Sequence, residues 1–171
     1  MKIMRKRWIA ALLFLCLVGG ALGMPALAGG AAAAVVNNPN PADRLHLRAE
    51  PRTDAASLGK YYNGVRLANA GISEGGWVPV SIGTLKGYMK QQFLMLADTP
   101  GHSLSSVASA MPILEVSNPN MAANLHLRER PSAASNSLGV YPNGTKVVLM
   151  GFGGEWAHVI VDGKMGFMLG R

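Results

Sequence analysis

One cysteine, four histidines and nine acidic residues are the groups of this 171-residue chain that could carry nucleophilic, metal-assisted or acid–base chemistry. Cys16 lies inside an uncharged apolar run. His46 and His126 stand at matching places in two similar stretches, and His102 sits among Ser and Ala. Neither these nor His158 follows a zinc spacing such as His-Glu-x-x-His. The carboxylates are scattered, with no motif to set two of them across a glycosidic bond. Neither a Gly-x-Ser-x-Gly elbow nor a phosphate loop is present. The residue types therefore point away from catalysis, and no metal or cofactor is expected. Binding is what remains, and rings serve it well because they supply contact area at small entropic cost. Tyr61, Tyr62, Trp77 and Trp156 are the aromatic candidates, and Arg48 and Arg128 are the groups that could pair with a carboxylate.

These candidates recur because the chain repeats itself. Asn38–Gly64 (NPNPADRLHLRAEPRTDAASLGKYYNG) aligns without a gap on Asn118–Gly144 (NPNMAANLHLRERPSAASNSLGVYPNG), at a constant offset of 80. Fifteen of the twenty-seven positions are identical. With a shift of one residue the likeness continues: Trp77 answers Trp156, Val80 answers Val159, and Gly87-Tyr88-Met89 answers Gly166-Phe167-Met168. A duplicated unit of roughly 60 residues is the economical explanation.

Each unit reads as strands and turns. Leu45-His46-Leu47-Arg48 and Leu125-His126-Leu127-Arg128 alternate apolar and polar, the period of a half-buried strand. Pro51 and Pro131 end that strand by withdrawing a ladder donor. Asn63-Gly64 and Asn143-Gly144 suit tight turns at positive φ. Strands are expected at Val65–Ala68, Trp77–Ile82 and Lys86–Met89, and again at Lys146–Leu149, Trp156–Val161 and Lys164–Met168. Trp77 and Trp156 each begin such a strand, so they read as core first and as ligand platforms second. Tyr62 is answered by Pro142, so the fold does not demand a ring there, and exposure beside the turn is expected. Arg48 and Arg128 read first as groups that pin the following loop through an internal hydrogen bond.

The order Leu-His-Leu-Arg, Pro, Leu-Gly-x-Tyr, Asn-Gly, Trp-x-x-Val, Gly-[Tyr/Phe]-Met resembles the bacterial SH3 domain, and in two copies. The resemblance implies an all-β protein of two tandem small SH3-like barrels, over residues 35–96 and 113–171, joined by a flexible linker at 97–112. It also implies recognition outside the cytoplasm, of peptidoglycan or its peptide bridges. The aromatic cluster with which eukaryotic SH3 domains read proline-rich peptides is not found. The first unit runs on through Lys90-Gln91-Gln92-Phe93-Leu94, as a closing strand should. The second stops at Leu169-Gly170-Arg171, so a stunted last strand and an unpaired barrel edge are expected.

The first residues complete the reading. Lys2, Arg5, Lys6 and Arg7 precede the apolar run Trp8–Gly23, and Met24-Pro25 leads into the small-x-small pattern Ala26-Leu27-Ala28. That order is a secretory signal peptide, helical over the apolar run, with cleavage after Ala28 and a spacer at 29–34. An uncleaved anchor is the alternative, although about 16 apolar residues fall short of the roughly 20 a spanning helix needs. Removal takes Cys16 and four positive charges, leaving twelve basic residues against nine acidic ones. No basic run or aromatic-basic motif supports nucleic-acid binding. The expectation is a secreted, wall-associated, non-catalytic binding protein for peptidoglycan or another envelope component. A subunit docking on an exported or envelope protein is the second possibility, and a wall hydrolase relic without its catalytic domain is the third.

Overall fold

The computed structural model describes residues 32–97, 101 and 106–170. The expected signal helix and the Ala28 cleavage point lie outside them. Thirteen strands follow in order. They are β1 (Ala32–Val36), β2 (Leu45–Arg48), β3 (Ser57–Tyr61), β4 (Arg66–Ala70), β5 (Trp77–Ile82), β6 (Leu85–Lys90) and, after a 3-10 turn at Gln91–Phe93, β7 (Leu94–Leu96). The second half holds β8 (Ile113–Glu115), β9 (Leu125–Arg128), β10 (Ser137–Tyr141), β11 (Lys146–Gly153), β12 (Trp156–Val161) and β13 (Lys164–Leu169). Among the described residues no helix is long and apolar enough to cross a membrane.

The all-β expectation holds, and the duplication is visible in the pairing. The first half is ordered β3-β2-β6-β5-β4-β1-β7, and the second repeats it as β10-β9-β13-β12-β11, with β8 beside β11. Every ladder is antiparallel. The sheet is not closed, however, and two self-contained barrels are not what the ladders form. β3 takes its second partner from the other half, where Tyr61 pairs with Gly151 and Lys60 with Phe152. One open path of strands results.

The cores show the same sharing. Leu45 and Leu47 alternate inward from β2 and join Val36, Tyr61, Leu67, Val80, Ile82 and Met89 in a first buried cluster, to which Met150 of β11 also belongs. Leu127, Tyr141, Val147, Leu149, Val159 and Met168 build the second, and Tyr62 of the first half packs against it. Each apolar interior is therefore completed by its neighbour.

The turns behave as their residues require. Gly64 and Gly144 have φ of 87° and 83°, a region open to glycine without a Cβ clash. The asparagine before each has a further task. Asn63 Oδ1 accepts from the Asn38 N–H at 2.8 Å while its Nδ2 donates to the Asn38 carbonyl at 2.7 Å. Asn143 does the same with Asn118 at 2.6 and 3.0 Å.

Two boundaries differ from expectation. The segment read as a spacer at 29–34 already contains the start of β1, which lies between β4 and β7 and buries Ala34. Alanine looked like spacer composition, but between two strands its small side chain fits a tight interior. The last residues of the 97–112 linker are also tied down. Ala110 N–H donates to the Asn63 carbonyl at 3.0 Å, Leu149 N–H to the Pro112 carbonyl at 2.9 Å, and Met111 packs on the first core. The last strand of the second half is not stunted as expected: β13 has six residues, as many as β6, and pairs with β12 along its length. β7 covers β1, whereas no described strand lies outside β8, where Ile113 is 68 % exposed.

Candidate functional site

The Leu-His-Leu-Arg strand turns its polar residues to one face in both halves, and that face becomes a groove. On β2, Leu45 and Leu47 point inward while His46 and Arg48 stay partly open. A bulge in the β2–β3 ladder after Leu47 brings Ser57 beside His46, and the imidazole Nδ1 and Ser57 Oγ lie 2.9 Å apart. The second half repeats this with His126 Nδ1 and Ser137 Oγ at 3.0 Å. Fixing Nδ1 leaves Nε2 as the ring atom for an outside partner.

The two arginines act as the pins their positions suggested. Arg48 Nη1 donates to the Ala55 carbonyl at 2.7 Å, and Arg128 Nη1 to the Ser135 carbonyl at 2.7 Å. Each thereby holds the loop that forms one wall of its groove. In the first half that wall also carries Arg52, paired in the open with Glu50 and Asp54 at 2.9 and 2.7 Å. Pairs so exposed stabilise little.

The opposite wall is the tryptophan. Gly75 and Gly76, at φ of 57° and 77°, turn the chain so that Trp77 opens β5 beside the β2 face. Its ring is mostly buried, and Lys90 Nζ sits 4.9 Å from the ring centroid, close enough for a cation–π attraction. Trp156 opens β12 in the same place and is half-buried.

Two grooves of similar size result. The first, about 460 Å³, gathers His46, Arg48 and Trp77 with Arg44, Lys60 and Lys90. The second, about 480 Å³, gathers His126, Arg128 and Trp156 with Leu125, Glu155 and Leu169. They differ in charge. Four cations and Asp43 line the first, whereas Arg128 and Glu155 both line the second, and Leu169 stands where the first has Lys90. Burial, and next the charges of Arg48 and then Lys60, hold His46 below the usual histidine range. At neutral pH its ring is an uncharged hydrogen-bonding group among fixed cations.

The structure thus brings together four of the six candidates, as Arg48 with Trp77 and Arg128 with Trp156. The tyrosines go elsewhere. Tyr61 is buried, its hydroxyl 3.2 Å from His158 Nδ1, so it reaches no surface ligand. Burial also raises its phenol pKa. Tyr62 is half-buried rather than exposed, with Arg44 over its ring at 5.4 Å and over Phe152 at 4.5 Å. Arg44, Lys60 and Lys90 escaped the sequence reading because in each half a different residue takes their place: Asn124, Val140 and Leu169. His46 and His126 were placed only on the polar face of a half-buried strand, and that face lines each groove. Among the described residues no group of three or more His, Cys, Asp and Glu side chains could hold a metal ion.

No family model matches the chain. No curated protein matches it either. Seven chains among the solved structures are similar, these two among them. One is titled "Structure of NlpC2 from Trichomonas vaginalis", with a TM-score of 0.34 and 14 % identity over 81 % of this chain and 45 % of that one. The other is "Structure of NlpC1 from Trichomonas vaginalis", with a TM-score of 0.34 and 13 % identity over 81 % and 43 %. The chain thus spans less than half of either. At that level of likeness nothing about those proteins transfers to this one.

Proposed function

We propose that this chain is an exported, non-catalytic binding protein built from two SH3-like units, and that it recognises an anionic cell-wall component, peptidoglycan by preference. One observation carries the reading. The same His, Arg and Trp constellation walls a groove of similar size on each half, in a chain whose other repeated positions are largely core and turn. The cations of the first groove suit the free carboxylates of a wall peptide, for which charge-assisted hydrogen bonds are the strong interactions. Trp77 and Trp156 supply an apolar wall. Two modest sites on one chain gain from effective concentration when the ligand repeats, as a wall polymer does.

The test is co-sedimentation of residues 29–171, which include every described strand, with purified peptidoglycan. The chain should leave the supernatant, and the double variant Lys60→Glu, Lys90→Glu should remain there, with a loss of about tenfold or more in affinity. Equal depletion of parent and variant would remove the first groove from the reading. No depletion of the parent would remove the wall itself.

A docking role on an exported or envelope protein has a different support: the outer edge of β8, where Ile113 and Leu114 are exposed and a partner strand could add. Leu114→Lys should then abolish capture of that partner and leave wall binding unchanged.

A further inference from the structure

The contact between the halves is directional, and its counterparts at the two ends of the molecule face solvent. In the contact that is made, β3 offers its edge to the end of β11, and Tyr62 N–H donates to the Met150 carbonyl at 3.0 Å. Beside it the β5–β6 turn rests on the second half. Gly83 lies against Met165 and His158, and Thr84 Oγ1 donates to the Glu129 carbonyl at 2.8 Å. Through the repeat, Gly71 and Ile72 correspond to Gly151 and Phe152, Val140 to Lys60, Asp162 to Gly83, and Lys86 to Met165. None of these is engaged across an interface. Ile72 is 89 % exposed and Val140 50 %, both unusual for large apolar residues that pack on nothing. Where the second half receives the turn, the first half has a depression of about 370 Å³, walled by Ala49, Pro79 and Lys86 among others.

Laid on one another as β3 and its turn lie on β11, these surfaces are complementary. Val140 would fall opposite Ile72, an apolar pair in place of Lys60 and Phe152, on a segment just beyond the end of β4. Asp162, the counterpart of Gly83, would come beside Lys86, the counterpart of Met165, with opposite charge. Glu74 follows Ile72 toward the end of β10, where Lys164 Nζ donates to the Leu138 carbonyl at 3.2 Å. Two things differ: Pro142 replaces Tyr62 and has no N–H to give, and Ala70, the counterpart of Met150, already pairs with Ala32 of β1. Pro79 replaces His158 as well, so the hydroxyl of Tyr141 finds no ring nitrogen there.

We propose that the chain associates head to tail with further copies of itself. The outer edge of β10 and the β12–β13 turn of one copy seat on the Gly71–Ile72 segment and the Pro79–Lys86 face of the next. The two surfaces differ, so the contact is heterologous, and it grows as an open row unless the rotation between copies closes a ring. The missing N–H and the missing imidazole make it weaker than the contact within the chain.

Sedimentation velocity of residues 29–171 over a wide concentration range tests this. The weight-average sedimentation coefficient should rise with concentration. Val140→Asp changes a side chain half in solvent and Ile72→Asp one almost wholly in solvent, so both variants should fold. Each alone should weaken association by about tenfold. Mixed together they should recover one good contact and stop at a pair, because each supplies the surface the other has lost. A single species at every concentration would overturn the proposal. So would association that neither substitution weakens, or a mixture that fails to pair.

Discussion

Two histidines of the same chain are held neutral by different surroundings, and each carries a test. His46 is only partly buried, and Arg48 and Lys60 add to the effect of burial on its pKa. An anionic ligand in that groove opposes those cations and must raise the His46 pKa. An NMR titration of the ring with and without wall fragments should show the upward shift, and affinity should grow as pH falls through the protonation range. His158 is different. Burial lowers its pKa from 6.5 to about 4, its ring stacks on Phe167 with centroids 4.1 Å apart, and its Nε2 has no hydrogen-bond partner. The unfolded chain takes up a proton near pH 6.5 and the folded chain only near 4, so stability is full above 6.5. It falls with pH across that window, by roughly 3 kcal/mol in all. His158→Phe should remove this acid limb in urea titrations at pH 7 and pH 4.5. At pH 7 it should stay within about 2 kcal/mol of the parent, since it deletes an orphaned nitrogen but strands the Tyr61 hydroxyl.

At the scale of strands, the ladder between β3 and β11 depends on glycine. A Cβ at Gly151 would collide with the Lys60 carbonyl, and one at Gly153 would lie 2.5 Å from the Leu58 carbonyl. Gly151→Ala should therefore part the two strands and cost about 1–3 kcal/mol. Hydrogen exchange should report it first at the Tyr62 amide, which donates to Met150 across that junction. This junction also marks how far the sequence could be read. The strands β2, β4, β5 and β6 with their repeats, the Asn-Gly turns and the arginine pins were legible because each follows from a local pattern or from the repeat. β1, β3, β8 and β10 were not assigned, and the closing strand expected over Lys90–Leu94 is a 3-10 turn at Gln91–Phe93 with β7 only at Leu94–Leu96. The partner of β3 was not legible. Nothing in Ser57-Leu58-Gly59-Lys60-Tyr61 says whether its outer edge meets its own half or the other. The burial of Tyr61 was missed for the same reason, since the group that covers it, His158, is 97 residues away. Arg44, Lys60 and Lys90 of the first groove were invisible because the repeat shows only what the halves share, and charge is where they differ.

At the scale of the whole molecule, the shared cores predict shared stability. Met150 fills the first core from the second half, so Met150→Ala should cost about 2–4 kcal/mol and expose Trp77 as well as Trp156. Urea unfolding followed by fluorescence and by circular dichroism should give one coincident transition. The seam has a further outcome for a protein read as living among extracellular proteases. A cut between Ala97 and Ser106 breaks one peptide bond but touches neither the β3–β11 ladder nor the Met150 and Tyr62 plugs. The nicked halves should migrate as one particle on gel filtration and come apart only in denaturant, so proteolysis there would leave the molecule in service.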